Sequence, residues 1–208
     1  MKHLFRRSLA CLLAVLLLPG LSGCGAISLM LNTVFSDTVH VYEDVSEYAR
    51  FAGANPEEEY EIDSLDLEGD IFPAAIPEGA EVRNFKMVYY NPFDAQWLCY
   101  LTVQYTPEAY AAEAERLAAY PRDDYEGVFS VTGFPTEPLA LTVDRTAGFL
   151  YAIPTPDLPD AVTYVRIEFG NRFLDLDWTE YVPAQYLPIG FDASPDNPWM
   201  EQADGQGN

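Results

Sequence analysis

Histidine is almost missing from this chain of 208 residues: there are two, His3 and His40. A Ser-His-Asp or Cys-His nucleophile needs an imidazole held beside a hydroxyl or thiol, and His40 falls in a stretch expected to be a tether. No Gly-x-Ser-x-Gly elbow, His-Glu-x-x-His helix, Cys-x-x-Cys pair or phosphate-binding glycine loop occurs. A zinc site would need to be built almost wholly from carboxylates, which is unusual for that ion. No metal and no cofactor is therefore expected, and His40 reads as a surface imidazole.

Positive charge is scarce as well. Eleven Lys and Arg stand against 33 Asp and Glu, a net charge of −22. Such a chain repels nucleic acid and anionic lipid headgroups alike, so nucleic-acid binding is excluded as a function. The chain has three cysteines, Cys11, Cys24 and Cys99, and a long apolar run is absent. Leu9–Leu18 has ten uninterrupted apolar residues, where a bilayer-spanning helix needs about 20.

What is present begins at that run. Lys2, Arg6 and Arg7 precede it, no acidic residue occurs before Asp37, Pro19-Gly20 follows, and Ser22 and Gly23 are small. A positive segment, a short apolar segment and small residues make an export signal. The segment ends in Leu21-Ser22-Gly23-Cys24, which resembles the lipobox of bacterial lipoproteins. The resemblance implies cleavage after Gly23, diacylglycerol on the Cys24 thiol, and attachment to the outer face of the cytoplasmic membrane. One acyl chain holds a protein only marginally, whereas two hold it stably. Without Lys2, Arg6 and Arg7 the acidic residues outnumber the basic by 33 to eight, a net charge of about −25. Lipid rather than charge is then the attachment.

Cys11 leaves with the signal and Cys24 carries lipid, so Cys99 stands alone and no intramolecular disulfide is expected. An exported domain of this kind relies on its core, which the 14 % aromatic residues supply. The expected organisation is a signal over 1–23, a tether over 24–43, a single domain over 44–191 and a disordered tail over 192–208.

Asp44 to Ala52 has a capping acid, apolar residues at helical spacing and Gly53 as a stop, which predicts a short helix. Residues 57–70 are strongly acidic. Asp66-x-Glu68-Gly69-Asp70 has the look of a calcium loop, but its glycine is at the fourth position and Pro77 stands at the twelfth. A solvated connector is the reading that fits.

Alternation predicts a strand over 82–90, with Phe85, Met87 and Tyr89 on one face. A turn follows at Asn91-Pro92-Phe93-Asp94, then a strand over 97–105 with Trp97, Cys99, Leu101, Val103 and Tyr105 inward. Cys99 is then core filler rather than a nucleophile. Thr106-Pro107-Glu108 opens a helix running to about Ala119, with Tyr110, Ala114, Leu117 and Ala118 as its buried stripe and a surface pair of Glu113 with Arg116. Strands are predicted over 128–132, 139–143, 149–153 and 162–169, with a shorter one over 173–176. Prolines at 183, 188, 195 and 198 prevent regular structure thereafter. The sum is an α+β fold: an antiparallel sheet of about five to seven strands with one main helix packed on one face.

The stretches Phe85–Trp97 and Tyr181–Phe191 are similar to small uncharacterised lipoproteins of Gram-positive gut bacteria, a resemblance that implies no activity. Two sets of residues remain as candidates for function. Asn91, Phe93, Asp94 and Trp97, beside Tyr89 and Tyr90, form a polar and aromatic loop suited to gripping a sugar or a peptide. Asp175 and Asp177, which point the same way if they lie on a strand near Trp178, could supply paired carboxylates for a glycosidase, with Glu168 a further candidate. The leading expectation is a lipid-anchored, non-catalytic module that binds a protein or glycan partner. A carbohydrate-active enzyme is the alternative.

Overall fold

The computed structural model describes residues 36–51, 71–92, 94–170 and 173–199. Among them six strands form one sheet: β1 (Ser36–Tyr42), β2 (Glu81–Asn91), β3 (Gln96–Gln104), β4 (Ala140–Asp144), β5 (Gly148–Pro154) and β6 (Ala161–Phe169). Their spatial order is β1-β2-β3-β6-β5-β4. The pairings of β2 with β3, β3 with β6, β6 with β5 and β5 with β4 are all antiparallel. Three helices accompany them: α1 (Tyr48–Phe51), α2 (Pro107–Ala118) and α3 (Trp178–Tyr181). The fold is α+β, with α2 as its main helix.

Strand β3 lies deep in the sheet and shows how the cores are divided. Side chains alternate across a strand, and here both sets are buried from Gln96 to Val103. Trp97, Cys99, Leu101 and Val103 share one core with Phe85, Met87 and Tyr89 of β2 and with Leu117 of α2. Leu98 and Tyr100 share a second core with Val165 and Ile167 of β6. Alternation alone predicts the first core. The second exists because the opposite face is covered too, by Phe129 and Val131 and by Leu174, Leu176, Val182, Tyr186 and Phe191.

That cover has little regular structure, as its prolines dictate, but backbone hydrogen bonds cross it. Thr132 donates to Ile189 and Ile189 to Gly133, each at 2.8 Å, and Asp192 donates to Phe129 at 2.9 Å. Buried backbone polar groups need partners whether or not they lie in a helix or ladder. Tyr151 adds a hydrogen bond from its hydroxyl to the carbonyl of Tyr186, 2.7 Å.

Helix α2 starts as its sequence requires. The Thr106 hydroxyl accepts from the Ala109 amide at 3.3 Å and Pro107 occupies the first turn. Of the expected stripe only Leu117 is fully buried; Tyr110 and Ala114 are half-buried and Ala118 is exposed. Asp44 caps a 3-10 turn, Val45–Glu47, that leads into α1, and Tyr48 supplies the buried anchor there.

The strand expected over 128–132 is not formed. Val128–Ser130 is a 3-10 turn in which Phe129 (φ 46°) and Ser130 (φ 63°) are left-handed. A bulky residue in that region is strained. Packing holds it there: the Phe129 ring lies 5.0 Å from Phe169 and about 6 Å from Phe149, Phe191 and Trp199. The short strand over 173–176 is also absent, because the Leu174 amide goes to the Ala193 carbonyl, 2.8 Å. Helix α3 follows instead, capped by Asp177.

Both expected domain limits were too narrow. β1 lies within the stretch expected to be a tether, and Ala193 and Asn197, placed in the expected tail, are buried. Among the described residues no helix is long and apolar enough to cross a membrane.

Candidate functional site

Strand register places the functional candidates in two adjacent rows on the face of the sheet that carries α2. One row runs Tyr89–Trp97–Glu168–Gly148–Asp144 across β2, β3, β6, β5 and β4. The next runs Met87–Cys99–Arg166–Leu150–Thr142. A third, Phe85–Leu101–Tyr164–Ala152–Ala140, belongs to the core that includes Leu117 of α2. At the β4–β5–β6 end of the first two rows the sheet surface opens into a cleft of about 220 Å³. Thr142, Asp144, Gly148, Leu150, Arg166 and Glu168 line it.

Each lining residue has a local cause. Asp144 ends β4 and its Oδ1 accepts from the Thr146 amide at 2.7 Å and the Ala147 amide at 2.9 Å, closing the β4–β5 hairpin. The Thr146 bonds hold the Asp144 carboxyl below its ordinary value. Gly148 must be glycine: its φ is +120° and a Cβ would sit 2.1 Å from the Ile167 carbonyl oxygen. The absent side chain is what lets β5 approach the Ile167 carbonyl and the Phe169 ring this closely. Arg166 stands where alternation calls for an inward residue, in register with Cys99 on one side and Leu150 on the other. Its side chain is 16 % exposed and is ion-paired with Glu168, which is 43 % exposed. A half-buried guanidinium is tolerable only with such a partner.

Arg166 was not singled out from the sequence, although the signal was there. In Val162-Thr-Tyr-Val-Arg166-Ile-Glu168-Phe169, the arginine has the parity of Val162 and Tyr164, which are core residues.

The expected loop site is only partly assembled. Trp97 and Tyr89 pack their rings on each other, centroids 4.3 Å apart, and are 6 % and 7 % exposed. Their faces belong to the core rather than to a gripping surface. Asn91 donates to the Tyr89 hydroxyl at 3.0 Å, and its Oδ1 is buried with no hydrogen-bond partner among the described residues. Asp94 packs so closely on Gly170 that a Cβ there would lie 2.7 Å from its own. Phe93 lies outside the described residues, as do Gly23, Cys24 and the acidic run 57–70.

Asp175 and Asp177, the carboxylates expected to act as a pair, do not lie on a strand, and each is hydrogen-bonded to another partner. Gln96 lies on the opposite face of β3 from Trp97, and it binds Asp175: its Oε1 accepts from the Asp175 amide at 3.0 Å and its amide nitrogen donates to the Asp175 carboxylate. Asp175 is thus across the sheet from Glu168. Asp177 accepts from the Thr179 amide at 3.0 Å and hydroxyl at 2.6 Å, which commits it to capping α3. Cys99 is buried and desolvation pushes its thiol up to about 12, so no thiolate forms near neutrality. His40 lies on β1 with its ring 6.4 Å from that of Tyr89. Among the described residues no group of three His, Cys, Asp or Glu side chains is placed to hold a metal ion. Comparison with protein-family models, with curated proteins and with solved structures finds no match to this chain.

Proposed function

We propose that this protein is a bacterial lipoprotein, anchored at the outer face of the cytoplasmic membrane through Cys24, whose domain is a non-catalytic binding module. The observation that carries the anchor is the register of its leader. Three basic residues, ten apolar residues, a Pro-Gly break and Leu-Ser-Gly-Cys follow one another within the first 24 positions. A net charge of about −25 beyond that point makes electrostatic attachment to anionic lipid unfavourable. Two acyl chains on one thiol supply stable attachment.

Binding is favoured over catalysis by how the reactive groups are used. Asp177 caps a helix, Asp175 is held by Gln96, and Cys99 is sealed in the core. Retaining glycosidases hold their two carboxyl groups about 5 Å apart and inverting ones up to about 9.5 Å. Glu168 and Asp175, on opposite faces of a sheet, do not form such a pair.

The test is metabolic labelling with palmitate in a bacterial host. The wild-type protein is expected to take up label and to remain with the membrane after a high-salt wash. Cys24→Ala is expected to lose both properties. Equal labelling of the two proteins, or a purified protein whose mass includes the intact leader, overturns the anchor.

A further inference from the structure

We propose that the cleft over β4, β5 and β6 binds a single sugar ring, either free or as one residue of a glycan. This rests on the reading of the domain as a binding module and names its ligand class. The size of the cleft sets the first limit. Drug-sized ligands occupy pockets of about 300–1,000 Å³; at about 220 Å³ this one suits one small ring.

The chemistry of the lining sets the second limit. The floor is apolar or bare, made by Leu150 and Gly148. The edge carries donors and acceptors together: the Arg166 guanidinium, the Glu168 and Asp144 carboxylates, and the Thr142 hydroxyl. An anion would have to compete with Glu168 for Arg166 and would face Asp144, in a chain of net charge −22. A small cation would meet Arg166. A neutral polyol has neither difficulty. Its hydroxyls donate to carboxylates and accept from guanidinium, while the C–H face of a ring lies on the apolar floor.

The arrangement is preformed. Asp144 is fixed by the turn it caps, and Arg166 and Glu168 hold each other on one rigid strand of a six-stranded sheet. Little ordering remains to be done when ligand arrives.

The experiment uses the full-length protein in a detergent without a sugar headgroup. Glucose, galactose, N-acetylglucosamine and short oligomers of each are titrated by calorimetry and by ligand-observed NMR, with acetate and ethylamine as charged controls. Binding of at least one sugar, and of neither control, is expected. An oligomer binding more tightly than its monomer identifies a glycan residue as the occupant; equal binding identifies the free sugar. Glu168→Gln is expected to weaken binding about tenfold or more, the scale of one hydrogen bond to a charged group. Thr142→Trp, at an exposed position on β4, is expected to fill the cleft and abolish binding at unchanged melting temperature. Asp175→Asn, on the other face, is expected to bind as wild type. Failure of every sugar at millimolar concentration, preference for either control, or full binding by Thr142→Trp overturns the proposal. None of these outcomes depends on whether Cys24 is acylated.

Discussion

The Tyr164 hydroxyl donates to the Glu113 carboxylate, joining the middle of β6 to the helix above it. The bond is one link in a longer chain. Tyr105 and Tyr164 share a hydrogen bond of 2.6 Å. Arg116 grips Glu113 with two bonds, 2.8 Å from Nε and 2.7 Å from Nη2, and Nη2 also donates to the Ile71 carbonyl at 2.8 Å. A pair expected only to decorate the surface of α2 therefore fastens the helix to the sheet and fastens residue 71 to the helix.

Removal of links from this chain gives graded losses. Tyr164→Phe deletes one hydroxyl and leaves Glu113 with Arg116, so a loss of about 1–2 kcal/mol is expected. Glu113→Ala leaves Tyr164 without its acceptor and Arg116 without its ion pair. The Arg116 side chain is 37 % exposed, so water screens part of the lost attraction, and a loss of about 2–3 kcal/mol is expected. Urea denaturation at constant m-value measures both. A Glu113→Ala protein as stable as wild type would show that the network contributes nothing net.

Buried tyrosines predict an alkaline limit to stability. Burial pushes the Tyr105 hydroxyl from 10.0 up to about 12, and burial raises Tyr151 and Tyr164 as well. A folded-state value above the unfolded one means that the native state holds its protons after the unfolded chain has begun to release them. The contribution is complete below pH 10 and declines as pH rises toward about 12. Urea midpoints are expected to be flat around neutrality and to fall above pH 10. Phenolate absorbance should show fewer than the full 14 tyrosines of the chain titrating before the protein unfolds. Ionisation of all of them in a protein that is still folded contradicts this account.

What the sequence disclosed was local. Period-two alternation located β2, β3 and β6, and a threonine followed by proline and glutamate located the start of α2, because those signals act within a few residues of the chain. What it withheld depended on distant partners. Val128-Phe129-Ser130 has strand propensity, but a cluster of rings from β5, β6 and the C-terminal segment pulls Phe129 into a left-handed turn. Leu174 and Leu176 alternate as a strand would, yet the partner of Leu174 is Ala193 rather than a ladder. The cleft escaped notice because Arg166 and Glu168 reach the β4–β5 hairpin only through the register of β6 with β5. Glu168 was picked out as a carboxylate, but its partner Arg166 was not.

The C-terminal segment gives the last prediction, since composition after Phe191 suggests a tail whereas packing makes it part of the domain. A chain stopped after Phe191 loses Ala193 and Asn197 from the interior, and with Ala193 the acceptor of the Leu174 amide. It also loses the 3.1 Å bond from the Ser130 hydroxyl to Asn197 Oδ1, and the Trp199 ring, which neighbours Phe129 and has the Arg145 guanidinium 5.5 Å from its centre. These contacts hold down the strained turn at Phe129 and Ser130, so their removal should be felt throughout the second core. Truncation at Phe191 is expected to lower stability by about 3–5 kcal/mol, because the half-buried Trp199 ring and the buried Ala193 and Asn197 are lost together. Asn197→Ala in the full chain removes only the hydrogen bonds at that residue and should lower it by about 1–2 kcal/mol. Thermal unfolding followed by near-ultraviolet dichroism reads the aromatic cluster directly. A truncated protein with the wild-type melting temperature and aromatic signal would return residues 192–199 to the status of a tail.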